Sequence, residues 1–167
     1  SLAAAYLVLS ACTYGLVYTL WLKRGTSPNL VVSGLAGSFA VLAGAAAVDP
    51  TLGPLPLLLA LVLFLWTPPH FWSLAIAYRD DYAAARVPML PVVVGDAAAA
   101  RAVFLGAAML VAASIVPAFL GLSWLYAAAA VGGGALLMLR TAQLALEPTR
   151  ARALAMAGED QRVTILE

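Results

Sequence analysis

Two adjacent carboxylates, Asp80 and Asp81, lie between Arg79 and Arg86 in the stretch Arg79-Asp80-Asp81-Tyr82-Ala83-Ala84-Ala85-Arg86-Val87-Pro88-Met89-Leu90-Pro91. Mg²⁺ takes hard oxygen ligands, commonly one or two carboxylates completed by substrate phosphates and water. Guanidinium and ammonium groups supply donors for the phosphates. Asp80 and Asp81 are therefore candidate Mg²⁺ ligands, and Lys23, Arg24, Arg79 and Arg86 are candidate contacts for a diphosphate. The competing reading is a set of solvated loop charges in which arginines pair with neighbouring aspartates.

A second group precedes the first: Leu65-Trp66-Thr67-Pro68-Pro69-His70-Phe71-Trp72-Ser73. Two prolines in an apolar run remove two backbone donors, which predicts a kinked or broken helix. In lipid, carbonyls freed in this way are tolerated only where protein or a water-filled cavity covers them. His70, the single histidine, lies inside this run, and ionisable residues at such depth usually face an interior cavity. The plainer reading is a core histidine bonded to a freed carbonyl. Eleven positions separate His70 from Asp81. On one continuous helix that is three turns plus about 20°, so both fall on one face, about 16 Å apart along the axis.

The elements that position these groups are set by hydropathy. Of the 167 residues, 64% are hydrophobic and only 10% charged. A soluble domain is roughly 45–50% apolar and about 25% charged, so a soluble or disordered chain is excluded in favour of an integral membrane protein. Five apolar runs follow: 2–22, 30–48, 55–78, 102–120 and a short one over 123–139. Each except the last has about the 20 residues that a crossing needs. A mixed loop is expected from Arg79 to about Arg101, and a tight turn at Gly121-Leu122-Ser123. The fold expected is an all-α polytopic transmembrane bundle of about five spans.

Charge supports this layout. With five spans, all nine basic residues fall on one side of the membrane, while Asp49 is the charge on the other. The positive-inside rule makes the basic side cytoplasmic. Trp124 and Tyr126 then sit at the outer interface. Residues 1–140 form the transmembrane domain, and residues 141–167 a polar cytoplasmic tail with a short surface helix near Arg150 to Ala157. The net charge of +1 gives no bulk attraction to nucleic acid. Cys12 alone makes no disulfide framework and is expected to be buried. Gly34, Gly37 and Gly44 are expected at close helix contacts, the run Gly132-Gly133-Gly134 at a packing or bending point, and Pro117 at a kink. The first residue is Ser1, and the chain reads as an internal piece of a longer protein.

Three blocks in order carry a resemblance. Tyr18-Thr19-Leu20-Trp21-Leu22-Lys23-Arg24, continued by Asn29, Gly34 and Gly37, is one. Leu65 to Ala75 is the second, and Asp80-Asp81-Tyr82 with Val87-Pro88-Met89-Leu90-Pro91-Val92-Val93 the third. Together they resemble the protoheme IX farnesyltransferase (heme O synthase) family of UbiA-type intramembrane prenyltransferases, over about residues 14–95. The resemblance implies part of a nine-span helical bundle in the bacterial inner membrane, with its active site on the cytoplasmic side. It implies farnesyl diphosphate as donor, protoheme IX as acceptor, Mg²⁺ as cofactor and a downstream heme A synthase as a partner. On it, Asp80, Asp81 and Tyr82 belong to the catalytic site, with Tyr82 orienting the carboxylates, and His70 is a candidate heme contact.

The chain departs from the family pattern in places. The family's first Asp-rich motif has no counterpart here. Ala84 and Arg86 stand where the family has a basic residue and a glycine, and Ala40 and Val41 where it often has two prolines. Alone, the chain is expected to be inactive. Two other readings remain: a UbiA-type enzyme acting on a quinone precursor or a chlorin, and a non-catalytic polytopic membrane protein.

Overall fold

A computed structural model describes residues 1–22 and 29–158, apart from the side chains of 18–22 and 29–30. Lys23, Arg24 and Arg162 lie outside the described residues. The described chain is all helical: α1 (Leu2–Cys12), a π-helical continuation (Thr13–Leu22), α2 (Asn29–Val48), α3 (Pro54–Ala77), α4 (Arg79–Ala84), α5 (Leu90–Val94), α6 (Asp96–Phe119), α7 (Trp124–Leu146) and α8 (Arg150–Ala157). Among the described residues, α2, α3, α6 and α7 are long and apolar enough to cross a membrane. The expected first span, 2–22, is helical throughout but changes from α to π at Thr13. The chain is thus an integral, multi-pass membrane protein.

The long helices form a row in which α1 packs on α2, α2 on α3, α3 on α6 and α6 on α7. Small residues set how closely they approach, as expected where lipid gives helices no hydrophobic reason to associate. A Cβ at Gly106 of α6 would lie 2.7 Å from Pro69 Cγ of α3, and one at Gly134 of α7 would lie 2.9 Å from Val111 Cγ1 of α6. Gly34 meets Phe64 and Thr67, and Gly37 meets Leu63, whereas Gly44, Gly132 and Gly133 have open space. Hydroxyls add bonds between helices. Ser10 donates to the Ala36 carbonyl at 2.7 Å, Ser38 to Ala60 at 2.8 Å and Tyr126 to Ser114 at 2.9 Å.

Several boundaries differ from those expected. The α3 helix runs unbroken through Pro68 and Pro69, and the Pro69 ring is buried against Gly106. The mixed loop is shorter, because α6 begins at Asp96. Gly95 takes φ +83° there, and the acidic Asp96 suits the positive end of the new helix. The fifth span extends to Leu146, because its last turns are covered by α8, which buries Ala153 and Leu154 beside Leu144, Val103 and Ile76. Cys12 is exposed rather than buried, since α1 contributes no buried residue.

The α8 helix occupies the expected residues and is anchored at several points. Thr149 accepts from the Arg152 amide. Arg152 donates to the Gln143 carbonyl at 2.9 Å and pairs with Glu147 at 2.7 Å. Arg140 reaches the Ala155 carbonyl at 3.4 Å, and Gly158 closes the helix in a left-handed conformation. Burying Leu154 contributes roughly 2 kcal/mol to docking. The end of α3, the start of α6 and the end of α7 therefore lie together, and Arg79, Arg86, Arg101, Arg140, Arg150 and Arg152 lie at that end. Asp49 is at the opposite end.

Two outcomes follow from these contacts. Gly106→Ala forces a methyl against a rigid, buried ring, so thermal unfolding in detergent should register a loss of about 1–3 kcal/mol. Gly44→Ala, with open space, should show no loss. At the far end, the Thr51 hydroxyl donates to Asp49 Oδ1 at 2.7 Å, and the Thr51 amide to the same oxygen. The side-chain bond first and the amide second hold the Asp49 carboxyl below the usual carboxylate range. This stability is present above the ordinary carboxylate pKa and is lost as pH falls through the lowered one. Thr51→Val should move the Asp49 titration, followed by NMR, back up toward the usual range.

Candidate functional site

The α3 helix ends at Ala77, and Tyr78 leaves helical geometry with φ −113° and ψ 31°. A new helix, α4, starts at Arg79 with Asp80 and Asp81 in its first turn, where carboxylates are favoured by the positive helix end. The one-face relation between His70 and Asp81 assumed a continuous helix and does not survive this break. The acidic pair prefers the start of a helix to the end of one.

The break opens a polar cavity of about 400 Å³, lined by Ile76, Ala77, Tyr78, Arg79, Asp80, Asp81, Asp96, Pro148 and Arg150. Asp80, Asp81 and Arg79 are exposed on its wall. Arg79 Nη1 donates to Asp96 Oδ2 at 3.4 Å, joining the end of α3 to the start of α6. Both groups keep partial solvent access, so the pair is worth under about 1 kcal/mol. Asp96 Oδ1 is buried and has no partner among the described residues, leaving an acceptor to be satisfied by a donor or a cation. The Arg150 guanidinium lies over the Tyr78 ring, 5.5 Å from its centroid.

The expected site residues divide between places. Asp80, Asp81 and Arg79 share the cavity. Arg86 and Tyr82 are not on its wall. Tyr82 packs with Val87 and Val92 around Ala75 and Met89, holding α4 and α5 to α3. Arg86 is exposed with φ +54°, a left-handed conformation that costs a side-chain-bearing residue about 1 kcal/mol and that glycine takes freely. Asp96, Arg150 and Tyr78 also line the cavity, and the sequence reading had not assigned them to it. Asp96 carried a signal, an acid just after Gly95 at a helix start. Nothing in the sequence brings Arg150 near Tyr78, because their proximity depends on how α8 docks.

Among the described residues, no three His, Cys, Asp or Glu side chains come close enough to hold a metal by themselves. Asp80 and Asp81 fit a divalent cation as partial ligands, the rest of the shell coming from phosphate oxygens and water. Counting charges, Asp80, Asp81 and Asp96 against Arg79 and Arg150 leave the wall at −1. A wall of that sign admits a diphosphate only together with cations.

His70 lies elsewhere. It is half-buried, stacks on Trp66 at 4.4 Å between ring centroids, and meets Phe71 edge-on at 5.3 Å. The space beside it is only about 30 Å³, lined by Trp66, Pro69, His70, Leu110, Leu137 and Met156. Trp66, Leu110 and Leu137 also line an apolar cleft of about 330 Å³ between α3, α6 and α7. One end of the molecule therefore offers a polar cavity, and the membrane-embedded part an apolar cleft.

The sequence matches a known group of proteins. The model of the UbiA prenyltransferase family matches residues 1–158. Protoheme IX farnesyltransferase 2 of Paramagnetospirillum magneticum is 67% identical over 94 residues, 56% of this chain and 33% of the relative. Protoheme IX farnesyltransferase 1 of the same organism is 64% identical over 92 residues, 55% and 32% of the two chains. The protoheme IX farnesyltransferase of Afipia carboxidovorans is 52% identical over 94 residues, 56% and 30%. The match spans about a third of each of these relatives. No solved structure matches. With the family model covering nearly all of its length, the chain belongs to the UbiA prenyltransferase family.

Proposed function

We propose that the chain forms part of a protoheme IX farnesyltransferase, which joins a farnesyl group to a heme vinyl group and releases diphosphate. The carrying observation is the polar cavity in which Asp80, Asp81 and Arg79 meet at the basic end of apolar helices. Farnesyl diphosphate is amphiphilic in the same sense: its anionic head suits the cavity and its hydrocarbon chain suits the membrane-embedded surface. The acceptor is taken from the names of the relatives.

In the reaction, the farnesyl C1–O bond breaks and its electron pair leaves on the diphosphate. C1 joins the terminal vinyl carbon of the porphyrin. Water adds to the other vinyl carbon and loses a proton, leaving a hydroxyl group. When bound, Mg²⁺ supplies positive charge to the leaving diphosphate. Asp80 and Asp81 would hold that cation. Arg79, kept beside the cavity by Asp96, donates to phosphate oxygens. Lys23 and Arg24 are further candidate contacts, and Arg86, off the cavity wall, contributes to the basic surface around it. Tyr82 holds the α4 start in place for the acidic pair. The apolar helices keep bulk water from the farnesyl cation as it develops.

The Trp66–His70 stack at the edge of the apolar cleft is the candidate contact for the planar heme. The basic end faces the cytoplasm of a bacterium by the positive-inside rule, with the helices up to Leu146 as the membrane domain and the residues after it as a cytoplasmic tail. Heme O made here would pass to a heme A synthase.

Heme O formation from farnesyl diphosphate and protoheme IX by a full-length enzyme that carries this chain, measured in membranes that lack other synthase activity, tests this reading. Asp80→Asn or Asp81→Asn should lower Mg²⁺-dependent turnover by roughly a hundredfold or more. Turnover that is unaffected in both variants would remove the metal assignment. His70→Ala should weaken heme binding, followed by the heme absorption band, while leaving diphosphate binding intact. Unchanged heme binding would take His70 out of the site.

A further inference from the structure

We propose that Arg150, delivered by the docked α8 helix, is a second diphosphate-binding residue on the cavity wall facing Asp80, Asp81 and Arg79. The inference rests on the reading of the cavity as a diphosphate site. Neither the paired carboxylates nor Arg79 requires it, because Arg150 comes from a different element, more than sixty residues later in the chain.

Three observations carry it. Arg150 lines the same cavity as Arg79, Asp80, Asp81 and Asp96. Among the described residues, its guanidinium pairs with no carboxylate, whereas Arg79 pairs with Asp96 and Arg152 with Glu147. It is held instead over the Tyr78 ring. That contact is with the face of the ring, and among the described residues no hydrogen bond takes the guanidinium N–H groups, which are left to donate. A planar fork held beside an aromatic ring, with its donors unused, is prepared for an anion with several oxygens.

The rest of α8 fixes where that fork sits. Ala153 and Leu154 are buried in the α3–α6–α7 core. Arg152 and Arg140 hold the helix by its own and its neighbour's carbonyls. Arg150, in the first turn, is the exposed basic residue that this docking leaves on the cavity wall. Tyr78, at the break between α3 and α4, is then the platform that aims Arg150 as well as the residue that ends α3. Arg79 and Arg150 together give the diphosphate a guanidinium from each of two separate elements.

The test is calorimetric titration of inorganic diphosphate with Mg²⁺ into the protein in phosphatidylcholine nanodiscs, with hydrogen exchange of the α8 amides alongside. Arg150→Gln should weaken binding roughly ten- to a hundredfold with α8 exchange unchanged. Arg150→Lys, which keeps the charge but loses the fork, should lose less. Wild-type affinity in Arg150→Gln, with binding abolished in Asp80→Asn and Asp81→Asn, would overturn the role of Arg150 and leave the cavity reading standing. Unchanged binding in all of these variants would overturn the cavity reading itself. Equal losses in the Gln and Lys variants with faster α8 exchange would make Arg150 structural and overturn the proposal. An effect of Arg150→Gln that appears only when phosphatidylglycerol is added would assign it to a lipid headgroup, which also overturns it.

Discussion

The close approach of α3 and α6 at Pro69 and Gly106 is the contact on which the rest depends. A rigid ring lies against a residue with no side chain, and a single added Cβ would fall 2.7 Å from it. This brings two antiparallel helices close together in a medium that offers them little reason to associate. The end of α3 then meets the start of α6, and Arg79 and Asp96 come within 3.4 Å. Pro69, one of two prolines that look disruptive in the sequence, serves here as packing surface. The helix runs unbroken through both prolines.

From that junction the polar end is assembled by local rules. Asp80 and Asp81 are poor residues for the negative end of α3 and good ones for the positive start of α4. The helix accordingly ends at Tyr78 and restarts. Asp96 does the same for α6 after Gly95. The α8 helix closes the group by burying Ala153 and Leu154 across α3, α6 and α7. Charged side chains are thereby concentrated at one end of an apolar molecule, where a phosphate-bearing amphiphile can present its head without drawing its hydrocarbon out of lipid.

Much of this was legible in the sequence. Hydropathy located the long helices, the turn at Gly121 and the short helix over Arg150 to Ala157. The Asp-Asp pair marked the polar site. The parts that were not legible depend on contacts distant in the chain. Arg150 reaches Tyr78 only because Leu154 finds a core formed by three other helices. The helical phase between His70 and Asp81 was lost at one residue, Tyr78, which leaves helical geometry between α3 and α4. Arg86 shows the converse. The glycine that the resemblance places at that position would fit a left-handed backbone, and this chain takes that conformation with an arginine in place.

The central claim is that the cavity walled by Tyr78, Arg79, Asp80, Asp81, Asp96 and Arg150 receives a metal–diphosphate group. Paramagnetic relaxation tests it most directly, with Mn²⁺ and inorganic diphosphate added to isotope-labelled protein in nanodiscs. Diphosphate-dependent broadening should be strongest at the amides of residues 78–81 and 96 and weak around Asp49 at the other end. Broadening centred elsewhere, or independent of diphosphate, would contradict the account.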